Sequence, residues 1–171
     1  MLWILFRHSG DTWWRERAEH YSRLIEHRKT DRNVHDLGFL FLPTWKAWYD
    51  LTGDPAKNQV VIEAGRTLAL RFQHRGRYLR SFVAPDSVFI DIMMNVGIIF
   101  YAAQQTKDAS LLQVATDHCL TTRRFLVRGD ASTSHRSRIL GVPVEIGTRG
   151  KARCRNGVDH RPVPQDGQVK R

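Results

Sequence analysis

The sequence predicts an all-α fold built from helical hairpins. Three segments repeat one pattern: the end of an apolar stretch, a Gly-Asp or Lys-Asp turn, and an amphipathic stretch. The turns are Gly10-Asp11, Gly53-Asp54 and Lys107-Asp108, with spacings of 43 and 54 residues. Glycine suits the left-handed position that ends one helix, and aspartate suits the N-cap of the next. This repeated punctuation indicates stacked helical hairpins.

The first four helices follow from residue spacing around the first two turns. Residues 2–8 are predicted as a short helix that ends at the first turn, and residues 12–28 follow with an apolar stripe on one face and charges on the other. Residues 36–51 include "LGFLFLPTWKAWY", which is apolar nearly all round and therefore predicts an inner helix. Pro43 is expected to kink this helix or to lie near its start. Residues 55–73 return to the amphipathic pattern of an outer helix.

The last two helices flank the third turn. Residues 89–106 contain most of "VFIDIMMNVGIIFYAA", the longest apolar run, which is short for a membrane span and includes Asp91 and Asn95. Residues 109–125 carry an apolar stripe at helical spacing, which predicts another outer helix. No strand with clear alternation of polar and apolar residues is expected before residue 135.

The positive charge is distributed unevenly along the chain. The net charge is +10, and residues 136–171 hold nine Lys and Arg against three Asp and Glu, compared with 18 against 14 in residues 1–135. The last segment also lacks helical period and is rich in Arg, Gly and Pro. We therefore expect a helical domain over 1–135 and a basic, disordered tail over 136–171, which is out of frame, translated from an unspliced intron, or simply unstructured. An RNA-binding arm is the alternative, but the tail has no aromatic residue for base stacking.

Cysteine content and the N-terminus predict a cytoplasmic location. Cys119 and Cys154 have no CxxC spacing and make no disulfide framework, which favours a reducing compartment. The N-terminal apolar run lacks the basic region and cleavage site of a signal peptide. His118 and Cys119 are adjacent and cannot easily both face one metal from a helix, so a zinc site is not expected there.

Two aspartates lie at equivalent points of the repeat. Asp36 is 17 residues before Gly53, and Asp91 is 16 residues before Lys107. Stacked repeats place equivalent positions at the same end of the array, so both carboxylates are expected to converge on one rim. Alternatively, each is an ordinary N-cap worth about 1 kcal/mol. Large apolar neighbours favour the first interpretation, because two acids in an apolar site can serve as proton donor and charged partner for glycoside cleavage or hydration.

Two longer motifs resemble a known enzyme family. "HDLGFLF" followed by "LTGD", and "IDIMMNVGIIFYAA" followed by "DHCLTTRRFLVRGDASTSH", resemble the unsaturated glucuronyl hydrolases of glycoside hydrolase family 88, from about residue 2 to His135. The resemblance implies an (α/α)6 toroid, of which this chain supplies about half of the ring. It also implies a glycoside hydrolase that releases the unsaturated uronic acid from lyase-generated oligosaccharides by hydrating the C4=C5 double bond, without a metal or organic cofactor.

The resemblance also implies roles for individual residues. Asp91 corresponds to the general acid and base, and Asp36 to the second essential carboxylate. The residues implied to bind substrate are His35, Phe39, His135 and Asn95. The expected partner is an unsaturated uronic-acid oligosaccharide, with no nucleic acid or membrane. With half of a ring, the chain alone is expected to be weakly active or inactive, and a non-catalytic helical-repeat scaffold is the alternative.

Overall fold

Three left-handed turns join the helices of the protein, as the sequence predicts. The computed structural model describes residues 1–84 and 86–139. Gly10, Gly53 and Lys107 adopt φ angles of 70°, 67° and 57°, and each ends a helix. The aspartate after each turn accepts a backbone N–H of the next helix through its side chain: Asp11 from Trp13, Asp54 from Ala56, and Asp108 from Ser110.

The helices of the described residues agree with the six predicted segments, although several are divided. The division within the fifth predicted segment falls at Val96. The second segment ends early and continues as a 3₁₀ turn over Glu26–Thr30. The helices are α1 Leu2–Ser9, α2 Thr12–Leu24, α3 Leu37–Phe41, α4 Ala47–Thr52, α5 Pro55–Ala69, α6 Ile90–Asn95, α7 Gly97–Thr106 and α8 Ala109–Leu126.

Pro43 widens its helix. Residues Leu42–Lys46 form one π-helical turn between α3 and α4, so the predicted inner helix continues through a bulge. Proline lacks the N–H that an α-helical turn would use, and π-turns absorb such defects. The bulge carries Trp45, whose indole Nε1–H donates to the Ser22 carbonyl at 2.9 Å. This buried bond ties the inner helix to α2.

Short strands replace part of one predicted helix. α5 ends at Ala69, and Phe72–Gln73 (β1) pairs antiparallel with Tyr78–Leu79 (β2), so the prediction of helix to residue 73 is wrong. The expectation of no strand before residue 135 is also wrong, since Ser87–Phe89 forms a further strand, β3. Strands of two or three residues are too short to show the alternation by which a strand is recognised in sequence.

The described chain remains ordered past the predicted domain boundary. Arg136–Arg138 forms β4, which pairs antiparallel with β3. Ile139 is buried in a small cluster with Tyr78, Val88 and Leu126. The expectation of a disordered tail is therefore wrong for residues 136–139, and residues 140–171 lie outside the described part of the chain.

α5 lies at the centre of the main core. Its buried residues span most of its circumference, which is more than the prediction of an outer helix implies; they are Val60, Val61, Ile62, Ala64, Gly65, Thr67 and Leu68. Gly65 allows α7 to approach closely, because a Cβ there would lie 2.6 Å from the Ile98 carbonyl oxygen and 2.8 Å from Ala102 Cβ. Among the described helices, none has both the length and the hydropathy required to cross a membrane.

Candidate active site

Asp36 occupies an N-cap position without acting as a cap. It directly precedes α3, yet its side chain accepts no backbone N–H of that helix. The amide of Phe39, which a capping side chain would ordinarily satisfy, donates instead to Asn95 Oδ1 at 2.8 Å. The Asp36 carboxylate is thereby available for other partners, and its side chain is 43% exposed. The interpretation of Asp36 as an ordinary N-cap is wrong.

His35 joins the two predicted carboxylates. Its Nε2 lies 2.9 Å from Asp91 Oδ2 and 3.5 Å from Asp36 Oδ1. The imidazole is only 2% exposed, whereas the Asp91 side chain is 36% exposed. The predicted convergence of Asp36 and Asp91 on one rim is confirmed: one ligand atom from each of the three residues lies within 4.8 Å of the others. The two acids thus share a solvent-accessible site with a buried histidine behind them.

Two polar atoms of this three-residue group have no hydrogen-bond partner among the described residues. They are His35 Nδ1 and Asp91 Oδ1, both of which are buried. The Nε2 contact with Asp91 therefore leaves Nδ1 as the ring nitrogen without a partner. The same geometry would let His35, Asp36 and Asp91 ligate a metal ion, but a metal at Nε2 would have to displace the hydrogen bond to Asp91. As folded, Asp91 is hydrogen-bonded to His35 Nε2, and Asp36 lies 3.5 Å from the same nitrogen.

Gly38 brings the helices of the site together. A Cβ at this position would lie 2.6 Å from both Cα and the carbonyl oxygen of Asn95. Only a residue without a side chain permits α3 and α6 to meet at this distance. The predicted pairing of equivalent repeat positions is therefore achieved through direct backbone contact beside the two carboxylates.

Asn95 is fully engaged in fixing that contact. It is completely buried, and besides accepting from Phe39 its Nδ2 donates to the Asp91 carbonyl at 3.1 Å and lies 3.5 Å from Asp36 Oδ1. A substrate would have to displace these bonds to use the amide. The geometry therefore favours Asn95 as a residue that positions the carboxylates, in place of the predicted substrate contact.

Phe39 and His135 are placed at the margin of the site. The Phe39 ring is 44% exposed at the start of α3. His135 is exposed, its ring packs edge-on against Phe89 at 5.9 Å, and its carbonyl accepts the Ile90 amide at 2.9 Å. That bond holds His135 beside the residue that precedes Asp91. Both side chains are available to a ligand.

Phe82 is part of the site and was not predicted. Its ring stacks on His35 with the centroids 4.6 Å apart and the planes inclined by 27°, and it remains 55% exposed. It lies in the irregular segment between β2 and β3, where no periodicity identifies a functional residue. An aromatic residue in a loop flanked by "RS" and "VAP" is the only sequence signal.

Comparison with known proteins agrees with this geometry. No family model matches the chain. It is 30% identical over 146 residues to an unsaturated glucuronyl hydrolase of Bacillus sp. (strain GL1), covering 79% of this chain. The crystal structure from Bacillus sp. GL1 superimposes with a TM-score of 0.76 at 27% identity, covering 80% of this chain. The chain is thus similar in sequence and in fold to the unsaturated glucuronyl hydrolases.

Further relatives extend the similarity. An unsaturated chondroitin disaccharide hydrolase of Streptococcus agalactiae is 28% identical over 142 residues, which cover 78% of this chain. A variant of the unsaturated glucuronyl hydrolase from that organism, complexed with dGlcA-GalNAc6S, superimposes with a TM-score of 0.64 at 26% identity, covering 86% of this chain and 37% of that structure. The described helices are thus hairpins of the (α/α)6 toroid. The chain spans 38% of the length of the Bacillus relative and 36% of the Streptococcus one.

Proposed function

We propose that this site belongs to a glycoside hydrolase that hydrates the C4=C5 double bond of an unsaturated uronic acid. The observation that carries the proposal is the convergence of Asp36 and Asp91 on His35, with 43% of the Asp36 side chain and 36% of the Asp91 side chain exposed. An N-terminal cap would point its carboxylate at the backbone, and neither of these does so. Similarity to unsaturated glucuronyl hydrolases supports the same reaction.

Asp91 is the proposed general acid and base. It delivers a proton to C4 of the vinyl ether, so that positive charge develops at C5 and on the ring oxygen. The resulting carboxylate then accepts a proton from the water that adds at C5. The product is a hemiketal at C5, which opens to a ketone and leaves a hemiacetal at C1. That hemiacetal collapses to an aldehyde and releases the next sugar as the alcohol. The hydrogen bond from His35 Nε2 holds the Asp91 carboxylate in one orientation for both transfers.

Asp36 is the proposed second carboxylate. Because Asn95 takes over the capping bond, the Asp36 side chain can face the sugar and stabilise the positive charge that develops during protonation. The exposed rings of Phe39 and Phe82, together with His135, are proposed to contact the sugar. A related structure holds dGlcA-GalNAc6S, which supports an unsaturated uronic-acid oligosaccharide as the substrate. The cytoplasmic location stays a prediction.

The test follows the ultraviolet absorbance of the conjugated uronic acid, which disappears on hydration. It compares the 171-residue chain with a hybrid in which residues 1–139 replace the segment that they match in the Bacillus sp. enzyme. We expect the hybrid to consume an unsaturated disaccharide and Asp91→Asn to lower its turnover by about 10²–10⁴-fold, the usual contribution of a general acid.

Asp50→Asn is the matched control. Asp50 has a similarly exposed side chain (35%) and a similar ion pair, with Lys46 at 2.7 Å, but it lies on α4. It should leave turnover unchanged. A folded hybrid that has no activity, or one in which Asp91→Asn is as active as the parent, would show that the proposed function is wrong.

A further inference from the structure

A buried arginine lies behind the site without contacting it. Arg71 lies two residues after the end of α5 and is 9% exposed. Burial lowers the pKa of its guanidinium, and the charge of Arg80 adds to that effect. A guanidinium stays charged in proteins, so removing one from water costs free energy that its partners must offset. The groups that accept hydrogen bonds from Arg71 must therefore offset this cost.

Arg71 donates to the backbones of two loops that belong to different parts of the chain. Nε donates to the Arg80 carbonyl at 2.8 Å, and Nη1 donates to the Arg32 carbonyl at 2.5 Å. The Arg71 carbonyl in turn accepts the Arg80 amide at 3.0 Å. A planar guanidinium holds its donors at fixed angles, so the two carbonyls are held at a fixed separation. An ammonium group has no such geometry.

Both carbonyls belong to residues that lie close in sequence to a residue of the site. Arg32 is three residues before His35, and Arg80 is two residues before Phe82. The two loops meet again where Phe82 stacks on His35, at 4.6 Å between ring centroids. At the edge of the same ring, His35 Nε2 lies 2.9 Å from Asp91 Oδ2. The separation between the loops thus determines how closely Phe82 covers the imidazole and where Nε2 is held relative to Asp91.

We propose that Arg71 is a positioning residue, which joins the loops at Arg32 and Arg80 and thereby keeps the His35 ring under Phe82 with its Nε2 at Asp91. The importance of this for turnover rests on the proposed function, but the positioning itself does not. If Arg71 only stabilised the fold, its loss would weaken the His35 hydrogen bond no more than it weakens hydrogen bonds elsewhere in the protein.

The test measures the His35 Nε2–H proton by nuclear magnetic resonance in the full 171-residue chain, with His35→Gln used to assign it. We expect Arg71→Gln to accelerate its exchange with solvent by about tenfold or more, the effect of losing roughly one hydrogen bond. The reference is the Leu79 amide, which donates to His118 at 3.2 Å on the other side of the β1–β2 hairpin and should change less. Arg71→Lys keeps the charge and should give an intermediate rate, and it takes the place of Arg71→Gln if that variant does not fold.

Arg77→Gln is the control for the stability of the same hairpin. Arg77 forms an ion pair with Asp117 of α8 and contacts neither loop of the site. It should leave His35 exchange close to that of the parent. The proposal is overturned if Arg71→Gln or its Lys substitute leaves His35 exchange unchanged, or if Arg77→Gln accelerates it equally. A hybrid enzyme without activity contradicts the proposed function alone, because the exchange measurement needs no substrate.

Discussion

Replacing Gly38 by alanine tests how the two halves of the site are joined. The added methyl would lie 2.6 Å from two backbone atoms of Asn95 and 3.0 Å from a third. Carbon atoms in ordinary contact are about 3.5–4.0 Å apart, so α3 and α6 must separate by about 1 Å. The atoms in the way are backbone atoms, and no side-chain rotation can relieve the clash.

The effect on activity should exceed the effect on stability. Alanine favours a helix over glycine by about 1 kcal/mol, which partly offsets an overpacking cost of about 1–3 kcal/mol. A shift of about 1 Å, however, would stretch the 2.9 Å contact between His35 and Asp91 beyond hydrogen-bonding distance. Misplacement on this scale can lower turnover by about 10²-fold.

The assay is turnover of the hybrid enzyme, with urea unfolding measured in parallel. Gly97→Ala is the matched control, because a Cβ there would meet only Leu42 Cδ1 at an ordinary 3.7 Å. Gly97→Ala should retain activity and gain up to about 1 kcal/mol in unfolding free energy. If Gly38→Ala is as active and as stable as Gly97→Ala, the close approach of the two helices does not hold the carboxylates in place.

Three further predictions concern unfolding measured in urea. Asp11→Ala should lower the free energy of unfolding by about 1 kcal/mol because it removes a capping hydrogen bond. Asp36→Ala removes no capping bond and should lower it by less; equal losses would show that Asp36 does cap its helix. Gly53→Ala should cost about 1 kcal/mol because of its φ of 67° alone, since nothing lies within 4 Å of an added Cβ, and an unchanged midpoint would refute this. Burial lowers the pKa of His118 from 6.5 to about 4, so the unfolded chain takes up a proton before the folded one as the pH falls. The free energy of unfolding should therefore drop by about 3 kcal/mol between pH 6.5 and pH 4. His118→Gln should make this decline less steep. A profile that is identical in His118→Gln would exclude His118 as the cause.

The parts of the fold that were predicted depend on neighbours in sequence. Glycine at residues 10 and 53, lysine at 107 and the aspartate after each are visible without a structure, because the interactions that end and cap a helix span only a few residues. Helical periodicity likewise located the helices, apart from the last turn of the segment predicted over 55–73. There the chain forms a two-residue strand whose partner lies beyond the next turn.

The site divides in the same way. The sequence by itself determined that two aspartates occupy equivalent repeat positions, and the family motif identified the residues around them. Only the tertiary structure decided that Asn95 replaces Asp36 as the cap, that Gly38 permits the contact, and that Phe82 covers His35. These interactions join residues far apart along the chain, 56 apart for His35 with Asp91 and for Phe39 with Asn95, and 39 apart for Arg71 with Arg32. Spacing and propensity report local geometry, whereas the distance between two such residues is determined by how the intervening helices pack.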